Sequence, residues 1–441
     1  MRTLSNLIQE KSTLPIGNIY KKQINGKTYF YHQYFLNGKR ISKIVKSHEL
    51  INLETQINKR IEIEKQIKIL QSKNKNVTLS KKACELTGYI MNRNTPVAEF
   101  ENAHLVWLDE KRAPLVIVKT RSIEKFLELR VLDMSRTNAR ILKKILNIHA
   151  KEEYEIPLYS YALAINDKYW FKPKHSKLKY KDIVFNNDNF SEAALKGDTT
   201  FFPHQANLTP EITTTGSYEK GWKLINKEWW LYKSGSQMEY FSELYSYHFS
   251  KLINIESAVY EMDNGYIRTK NFSKNTNFEP LASIAGANDD YNFVFNLLIS
   301  LNQDIARDYL KLIFFDAVIF NIDRHNENLG LLRDVKNGKI ISLSPNFDNN
   351  LSLLATSPIL KEPEKDNFIN SFITFLKTNQ TVLSLFKTID FPLITKEHLA
   401  KLLDKIPIKI ENSDDFTQIL LNRYNFILTH NIIKKFVKIK D

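Results

Sequence analysis

Asp323, Arg324, His325 and Asn328 lie within one short stretch, FNIDRHNENLG (320–330), at the end of the apolar run LKLIFFDAVIF. A hydroxyl nucleophile needs a carboxylate to orient it and accept its proton, and Asp323 is of the right type. Asn328, five positions on, offers a side-chain carbonyl that can turn back toward the same point as a hard oxygen ligand for Mg²⁺. Asp348, closing the strand-like segment KNGKIISLSPNFD, supplies a second, anionic ligand, with Phe347 beside it. Arg324 and His325 would buttress the loop or touch phosphate. Asp and Asn are common turn residues, and DRH alone means little. DRHxxN after a buried helix, followed by a strand and NFD, is more specific and points to phosphoryl transfer.

Such chemistry also needs a loop over the phosphates, a lysine and a helix carboxylate. TTTGSYEKG (213–221) lies between predicted strands, and Gly216 allows close backbone approach to phosphate. Only Gly221 accompanies it, so the loop is glycine-poor. WWLYK ends a strand at Lys233, and Glu243 follows in the next predicted helix. A strand lysine paired with a helix glutamate fixes the α- and β-phosphates in kinases.

The elements that must position these groups read as a strand-rich half followed by a helical half, an α+β, two-lobed, protein-kinase-like layout. At 441 residues two or three domains are expected. The divisions fall at 1–76, a small basic module; 77–283, a strand-rich lobe with its own N-terminal part; and 284–441, a helical lobe. Within the middle segment, VWLDEKRAPLVIV predicts a hairpin through Glu110-Lys111. SIEKFLELRVLDMSRTNARILKKILNI reads as one long amphipathic stretch whose Arg136, Asn138 and Arg140 fit a solvated helix face better than a ligand cluster. MEYFSELYSYHFSKLI (238–253) predicts a helix with Phe241, Leu244, Tyr245, His248 and Leu252 on its apolar face, His248 being a core histidine. A strand pair through Asn337-Gly338 precedes Asp348. The closing helix, ILLNRYNFILTHNIIKKFVKIK, carries basic residues in its last turns, as the helix dipole favours.

The formal charge of +14 is concentrated at one end: residues 1–76 hold fifteen Lys/Arg against five Asp/Glu, +10 of the total. Asn25-Gly26 and Asn37-Gly38 separate three predicted strands in a meander. A helix begins at Ser47, its cap, with Leu50, Leu53, Ile57 and Ile61 in a stripe, and QSKNKN (71–76) reads as a linker. Basic residues interleaved with aromatics suit nucleic acid; the plainer alternative is a solvated sheet whose helix packs elsewhere. One cysteine, Cys84, excludes an internal disulfide. With no early apolar run and no membrane-length segment, a cytoplasmic protein without membrane contact is expected.

TTGSYEKGW, WWLYK, SELYSYHFSKL, FNIDRHNENLGLL and LSPNFDNNLSLL together resemble the HipA-like serine/threonine kinases of bacterial toxin–antitoxin systems, which are related in fold to the phosphatidylinositol 3- and 4-kinases. The resemblance covers roughly residues 200–355 by motif and 80–441 by layout. It implies ATP and Mg²⁺ as cofactors, Asp323 as catalytic base, Asn328 and Asp348 on the metal, and Lys233 on the phosphates, paired with Glu243. Thr215, Gly216, Ser217, Tyr218, Glu219 and Lys220 would form the phosphate loop. Lys270, Asn271 and Phe272 would flank the adenine. A residue just before the glycine is autophosphorylated in such enzymes, ejecting the loop; Thr213 matches best, with Thr214, Thr215 and Ser217 as neighbours. The implied partners are a protein substrate, such as an aminoacyl-tRNA synthetase or other translation factor, and an antitoxin. NFDNN stands where many kinases have DFG, and the basic N-terminal module does not match the family's usual partner, a separate DNA-binding antitoxin. A phosphoinositide or small-molecule kinase and a nucleotide-binding pseudokinase bound to nucleic acid are the alternatives.

Overall fold

The computed structural model describes residues 7, 10–11, 13–24, 27–36, 39–73, 86–101, 104–136, 138–146, 148–150, 152–197, 208–357 and 359–433. Two compact units result, one of residues 1–82 with 200–207, the other of 83–199 with 208–441.

In the first unit, β1 (Asn18–Ile24), β2 (Lys27–Leu36) and β3 (Lys39–Val45) form an antiparallel meander. The pairs Ile24↔Lys27 and Leu36↔Lys39 leave two residues for each turn. The expected turn residues, Asn25-Gly26 and Asn37-Gly38, themselves lie outside the described residues, as does Cys84. One helix then runs over Ser47–Lys73. Residues 71–73, expected in a linker, belong to it, because no Gly or Pro interrupts the segment; 74–76 lie outside the described residues. Ile61 is 40% exposed, whereas Ile57 and Ile63 are buried. The stripe departs from simple periodicity because the chain's beginning packs on the helix: Leu7 and Leu14 meet Ile63, and Arg60 Nη1 donates to the carbonyls of Lys11 (2.9 Å) and Leu14 (2.7 Å).

The second unit opens with a four-stranded antiparallel sheet in the order β6-β5-β4-β7, from β4 (Gly88–Asn92), β5 (Thr95–Glu101), β6 (His104–Trp107) and β7 (Tyr169–Pro173). No hairpin passes through Glu110-Lys111. Asp109 caps a 3₁₀ turn at Glu110–Arg112, and Pro114 opens the short helix Leu115–Thr120. The stretch expected as one amphipathic helix is two, Ile123–Glu128 and Ala139–Ile145. The residues between them fold inward: Arg136 and Asn138 are buried, not solvated. One nitrogen of each has a backbone acceptor, Arg136 Nη2 on the Thr214 carbonyl at 3.0 Å and Asn138 Nδ2 on the Ala194 carbonyl at 2.5 Å, which hydropathy alone cannot reveal.

The second sheet, in the order β10-β11-β9-β8, contains β8 (Lys220–Ile225), β9 (Glu228–Lys233), β10 (Tyr260–Asp263) and β11 (Tyr266–Lys270). Between β9 and β10 lies the helix Gln237–Leu252, started by a capping box in which Ser236 and Glu239 satisfy each other's backbone N–H groups. Its buried face includes Phe241, Leu244, Tyr245 and Phe249. His248 sits half-buried at its rim instead of in the core. A third sheet, β12 (Thr276–Pro280), β13 (Gly330–Asp334) and β14 (Ile340–Leu343), brackets the chemistry-bearing loops.

The helical half is built around Gln303–Ile319, whose Phe314 contacts Phe372, Phe386, Phe391 and Tyr424. A helix ends with carbonyls that lack partners. Here the guanidinium of fully buried Arg423 donates to the carbonyls of Ala317 and Val318, both at 2.7 Å, and to Asp366 Oδ2 at 2.8 Å. The closing helix spans Ser413–Leu428. It stops before the basic residues expected in its last turns, and 434–441 lie outside the described residues.

Removing one partner of a buried ion pair leaves an uncompensated charge. Arg423→Met should therefore cost about 3–5 kcal/mol in urea unfolding, and adding Asp366→Leu should recover part of that loss. Single and double variants of equal stability would contradict the assignment.

Candidate active site

The apolar helix Gln303–Ile319 carries Asp316 near its end, 3% exposed at the side chain. Phe320, in the left-handed region at φ 55°, turns the chain out of the helix and brings Arg324 back over that carboxylate. Arg324 Nε donates to Asp316 Oδ2 at 2.8 Å and Nη2 to Oδ1 at 3.0 Å. Its remaining donors reach the carbonyls of Asn328 (2.6 Å) and Phe347 (2.9 Å) and the side-chain oxygens of Asn346 (2.8 Å) and Asn349 (3.0 Å). Of the two roles expected for Arg324, it fills the buttressing one. Asn321 accepts from the Asp323 amide at 3.1 Å, and Asn328 Nδ2 donates to the Asp323 carbonyl at 2.9 Å.

Asp348 sits at φ 60°, a conformation that Asp and Asn tolerate better than most residues, and its amide donates to Tyr260 Oη at 2.9 Å. Lys233 Nζ lies 2.5 Å from Asp348 Oδ1 and 3.3 Å from Glu243 Oε1. The expected lysine–glutamate pair is thus present, with the closer contact made to Asp348. Glu243 Oε2 also accepts from the Asn349 amide at 2.9 Å, tying the helix Gln237–Leu252 to the loop that carries Asp348. Burial opposes charge on Lys233, but Asp348, Tyr260 and Glu243 together outweigh it and hold the ammonium well above its ordinary range. Burial likewise pushes Asp348 up, and Lys233, Lys220 and Arg324 together more than reverse this, leaving it low. Glu243 is raised by burial despite Lys233. The Asp323 carboxyl is pushed up by partial burial, with Asp348 adding to that effect.

The loop over these groups is buried at both ends and exposed between them. Thr213 donates to the carbonyls of Leu163 (2.7 Å) and Pro210 (3.2 Å); Thr214 donates to Pro210 (2.8 Å) and accepts from Trp222 Nε1 (2.9 Å). Thr215 and Ser217 are exposed. Gly216 has φ 94°, and a Cβ there would come within 2.3 Å of Lys220 Nζ. The backbone is wound over an amine that faces Lys233 across the β8–β9 pair. Lys220 is 6% exposed, and among the described residues no carboxylate pairs with it. Burial, and then Lys233, push its pKa down to about 7. Tyr218 bonds Glu239, and Ser234 donates to Glu219 Oε2 at 2.8 Å, so the far side of the loop is fastened to the start of the next helix.

A cavity of about 600 Å³ joins these parts. It is lined by residues 213–218, Lys220, Lys233, Lys270, Asn271, Phe272, Asp323, His325, Asn328, Phe347 and Asp348. Of the expected residues, Glu219 and Glu243 stand outside the lining and act on it through Ser234 and Lys233. Phe272, Phe278 and Phe347 form a three-ring wall, with centroids 5.5–5.7 Å apart. Sequence reasoning missed Phe278, Tyr260, Trp222 and the segment 128–134, which also line the cavity. Arg136, behind that segment, carried a signal only as an arginine inside an amphipathic stretch. Among the described residues no three His, Cys, Asp or Glu side chains cluster as metal ligands. A cation held by Asn328 and Asp348 would need further oxygens from a phosphate or water, which is the habit of Mg²⁺.

No protein-family model matches the chain, and no curated protein matches it. Among solved structures, the HipA toxin–antitoxin system of Shewanella oneidensis MR-1, in complex with HipB and operator DNA, is similar with a TM-score of 0.50 at 12% identity. That match covers 77% of this chain and 97% of the other. The Helicobacter pylori proinflammatory kinase CtkA gives a TM-score of 0.34 at 15% identity, over 48% of this chain and 91% of the other. The fold is that of a two-lobed kinase. More particularly, it is the HipA-like kinase fold, as the sequence motifs implied. Among the described residues no helix is long and apolar enough to cross a membrane.

Lys220 makes a pH-dependent contribution whose sign is set by its lowered pKa. The unfolded chain keeps the proton up to about 10.4, whereas the folded protein releases it near 7. Native stability is therefore penalised fully below pH 7 and relieved as pH rises from 7 toward 10. Lys220→Met should be more stable than the parent at pH 6, with the gap narrowing by pH 9.5 in chemical denaturation. A gap independent of pH would count against the buried, unpaired amine.

Proposed function

We propose that the protein is an ATP- and Mg²⁺-dependent protein kinase of the HipA type, acting on serine or threonine hydroxyls. One observation carries this reading: Asp323, Asn328, Asp348 and Lys233 line one cavity, and Arg324 fixes both supporting loops from behind. The residues suit a magnesium nucleotide by their own chemistry. Asn328 uses its amide N–H on the Asp323 carbonyl, so its side-chain oxygen is the atom left for a hard cation. Asp348 is held anionic, and Lys220 is a buried cation lacking a counter-charge beneath the loop.

Bound there, the magnesium nucleotide supplies the phosphoryl group and neutralises part of its charge. Asp323 orients the acceptor hydroxyl and takes its proton, a role helped by its raised pKa. Lys233, set by Glu243, holds the inner phosphates. The amides of 215–218 and the Lys220 ammonium cover the outer ones, while His325 lies at the acceptor side. Lys270, Asn271 and Phe272 flank the base, with Phe347 closing the wall.

By likeness to the HipA system, the protein acts as a growth-arresting toxin, phosphorylates a translation component such as an aminoacyl-tRNA synthetase, and is restrained by an antitoxin in the cytoplasm. Autophosphorylation near the loop would switch it off. Phosphate on Thr213 or Thr214 requires their hydroxyls to leave the carbonyls they now bond, so it demands loop ejection. Thr215 and Ser217 need no such movement.

Intact mass after phosphatase treatment and then incubation with ATP and Mg²⁺ tests the reading. The parent should gain phosphate, with peptide mapping locating it among 213–217. Asp323→Asn should slow the gain by about 10²–10⁴-fold while keeping nucleotide binding, whereas Asp348→Asn should lose the Mg²⁺ dependence of that binding. Nucleotide binding with no phosphate on the protein or on any added protein substrate would favour a pseudokinase. Label recovered in a lipid extract would favour a lipid kinase.

A further inference from the structure

The N-terminal unit contains a second feature, unrelated to the cavity. In the register of β1–β3, Tyr20, Tyr31 and Ile44 stand in one row across the three strands. The row beside it pairs Lys22 with Tyr29, and the one on its other side pairs Gln33 with Ser42. Alternation puts all of these on one face. Arg40 joins them, its Nη2 donating to Gln33 Oε1 at 2.5 Å. A sheet with one face packed normally turns polar residues outward. Here Phe30, Tyr34, Ile41 and Val45 occupy the more buried face, yet the other displays Tyr20 at 52% and Ile44 at 63% exposure.

The charge on this sheet is equally one-sided. Residues 18–46 contain seven Lys/Arg and no Asp or Glu. Lys21, Lys22, Lys43 and Lys46 are exposed, and among the described residues none forms an ion pair. Of the unit's acids, Glu64 pairs with Lys11 and Arg60, and Glu10 with Lys59. The others, Glu49, Glu54 and Glu62, lie on the helix, so the sheet carries its positive charge with no acid of its own.

We propose that this sheet face binds single-stranded nucleic acid, with bases stacked on Tyr20 and Tyr31 and phosphates held by Lys22 and Arg40, while Lys21 and Lys43, on the opposite face, add to the positive field. Exposed Tyr20 and half-buried Tyr31 beside unpaired cations, with no carboxylate among them, match the two components of a single strand, flat bases and a polyanionic backbone. A duplex would meet the charge but offer no unstacked base to the rings. The inference stands independently of the kinase reading.

Fluorescence anisotropy with the full chain and labelled 20-nucleotide mixed-sequence DNA, the same sequence as RNA, and the DNA duplex tests it. Both single strands should bind more tightly than the duplex at 50 mM salt and weaken steeply at 200 mM; their ratio distinguishes RNA from DNA as the natural ligand. Tyr20→Ala and Tyr31→Ala should each weaken binding by about tenfold, Tyr31→Trp should retain it, and circular dichroism should be unchanged in all three. Absence of single-strand binding at 50 mM salt would overturn the proposal. Equal affinity for the duplex, or insensitivity to both tyrosine substitutions in folded variants, would also overturn it by reducing the interaction to charge alone.

Discussion

The active site depends on one buried ion pair. Arg324 and Asp316 neutralise each other where neither could be buried alone, and the shape of the guanidinium sets where the neighbouring loops must lie. Its five N–H groups lie in one plane in a fixed fork. Once two are committed to Asp316, the rest must point at the segment containing Asn328 and at the segment containing Phe347 and Asn349. The loop of Asp323 and Asn328 and the loop of Asp348 are therefore positioned by the same rigid group. A lysine has neither the plane nor the number of donors to do this. Asp316, which interrupts the apolar last turns of the helix Gln303–Ile319, has its carboxylate taken up by Arg324.

Electrostatic balance around the cavity is kept by unequal means. Lys233 shares its charge with Asp348 and Glu243, and that trio is close to self-sufficient. Lys220, across the strand pair, has no such partner and repels Lys233. The site therefore holds a buried cation in excess beneath the loop, an arrangement that costs stability unless an anion enters. An anion entering beneath the loop would meet both lysines at once, because they face each other across the β8–β9 pair.

How much of this could be read from the sequence depends on how locally each part is determined. Asp323, Arg324, Asn328 and Asp348 fall within one loop and the hairpin that follows it, so their spacing could be read together, whereas the pairing of Asp316 with Arg324 was not read. Lys233 and Glu243 come from a neighbouring strand and helix, and their order along the chain was enough. Phe278 and Arg136 were not legible. They reach the site through tertiary packing of segments whose hydropathy looks like ordinary core or ordinary helix surface. Arg136 misled because a buried arginine bonded to a backbone carbonyl has the same sequence signature as a solvated one. The Glu110-Lys111 turn failed as a hairpin because Pro114 sits at the first residues of a helix as readily as beside a strand.

The loop itself divides at Gly216. Before it, Thr213 and Thr214 are held by carbonyls of distant segments and by Trp222; after it, Tyr218 and Glu219 are held by the start of the helix Gln237–Leu252. Only Thr215 to Ser217 lack such anchors, and Gly216, at a φ that L-residues rarely adopt, lets the chain bend between them. The anchors on both sides are hydroxyl bonds. Before Gly216 the donors are the hydroxyls of Thr213 and Thr214 themselves; after it they are the Tyr218 hydroxyl, on Glu239, and the Ser234 hydroxyl, on Glu219. A substituent on the Thr213 or Thr214 hydroxyl would therefore break the anchors before the glycine and leave those after it.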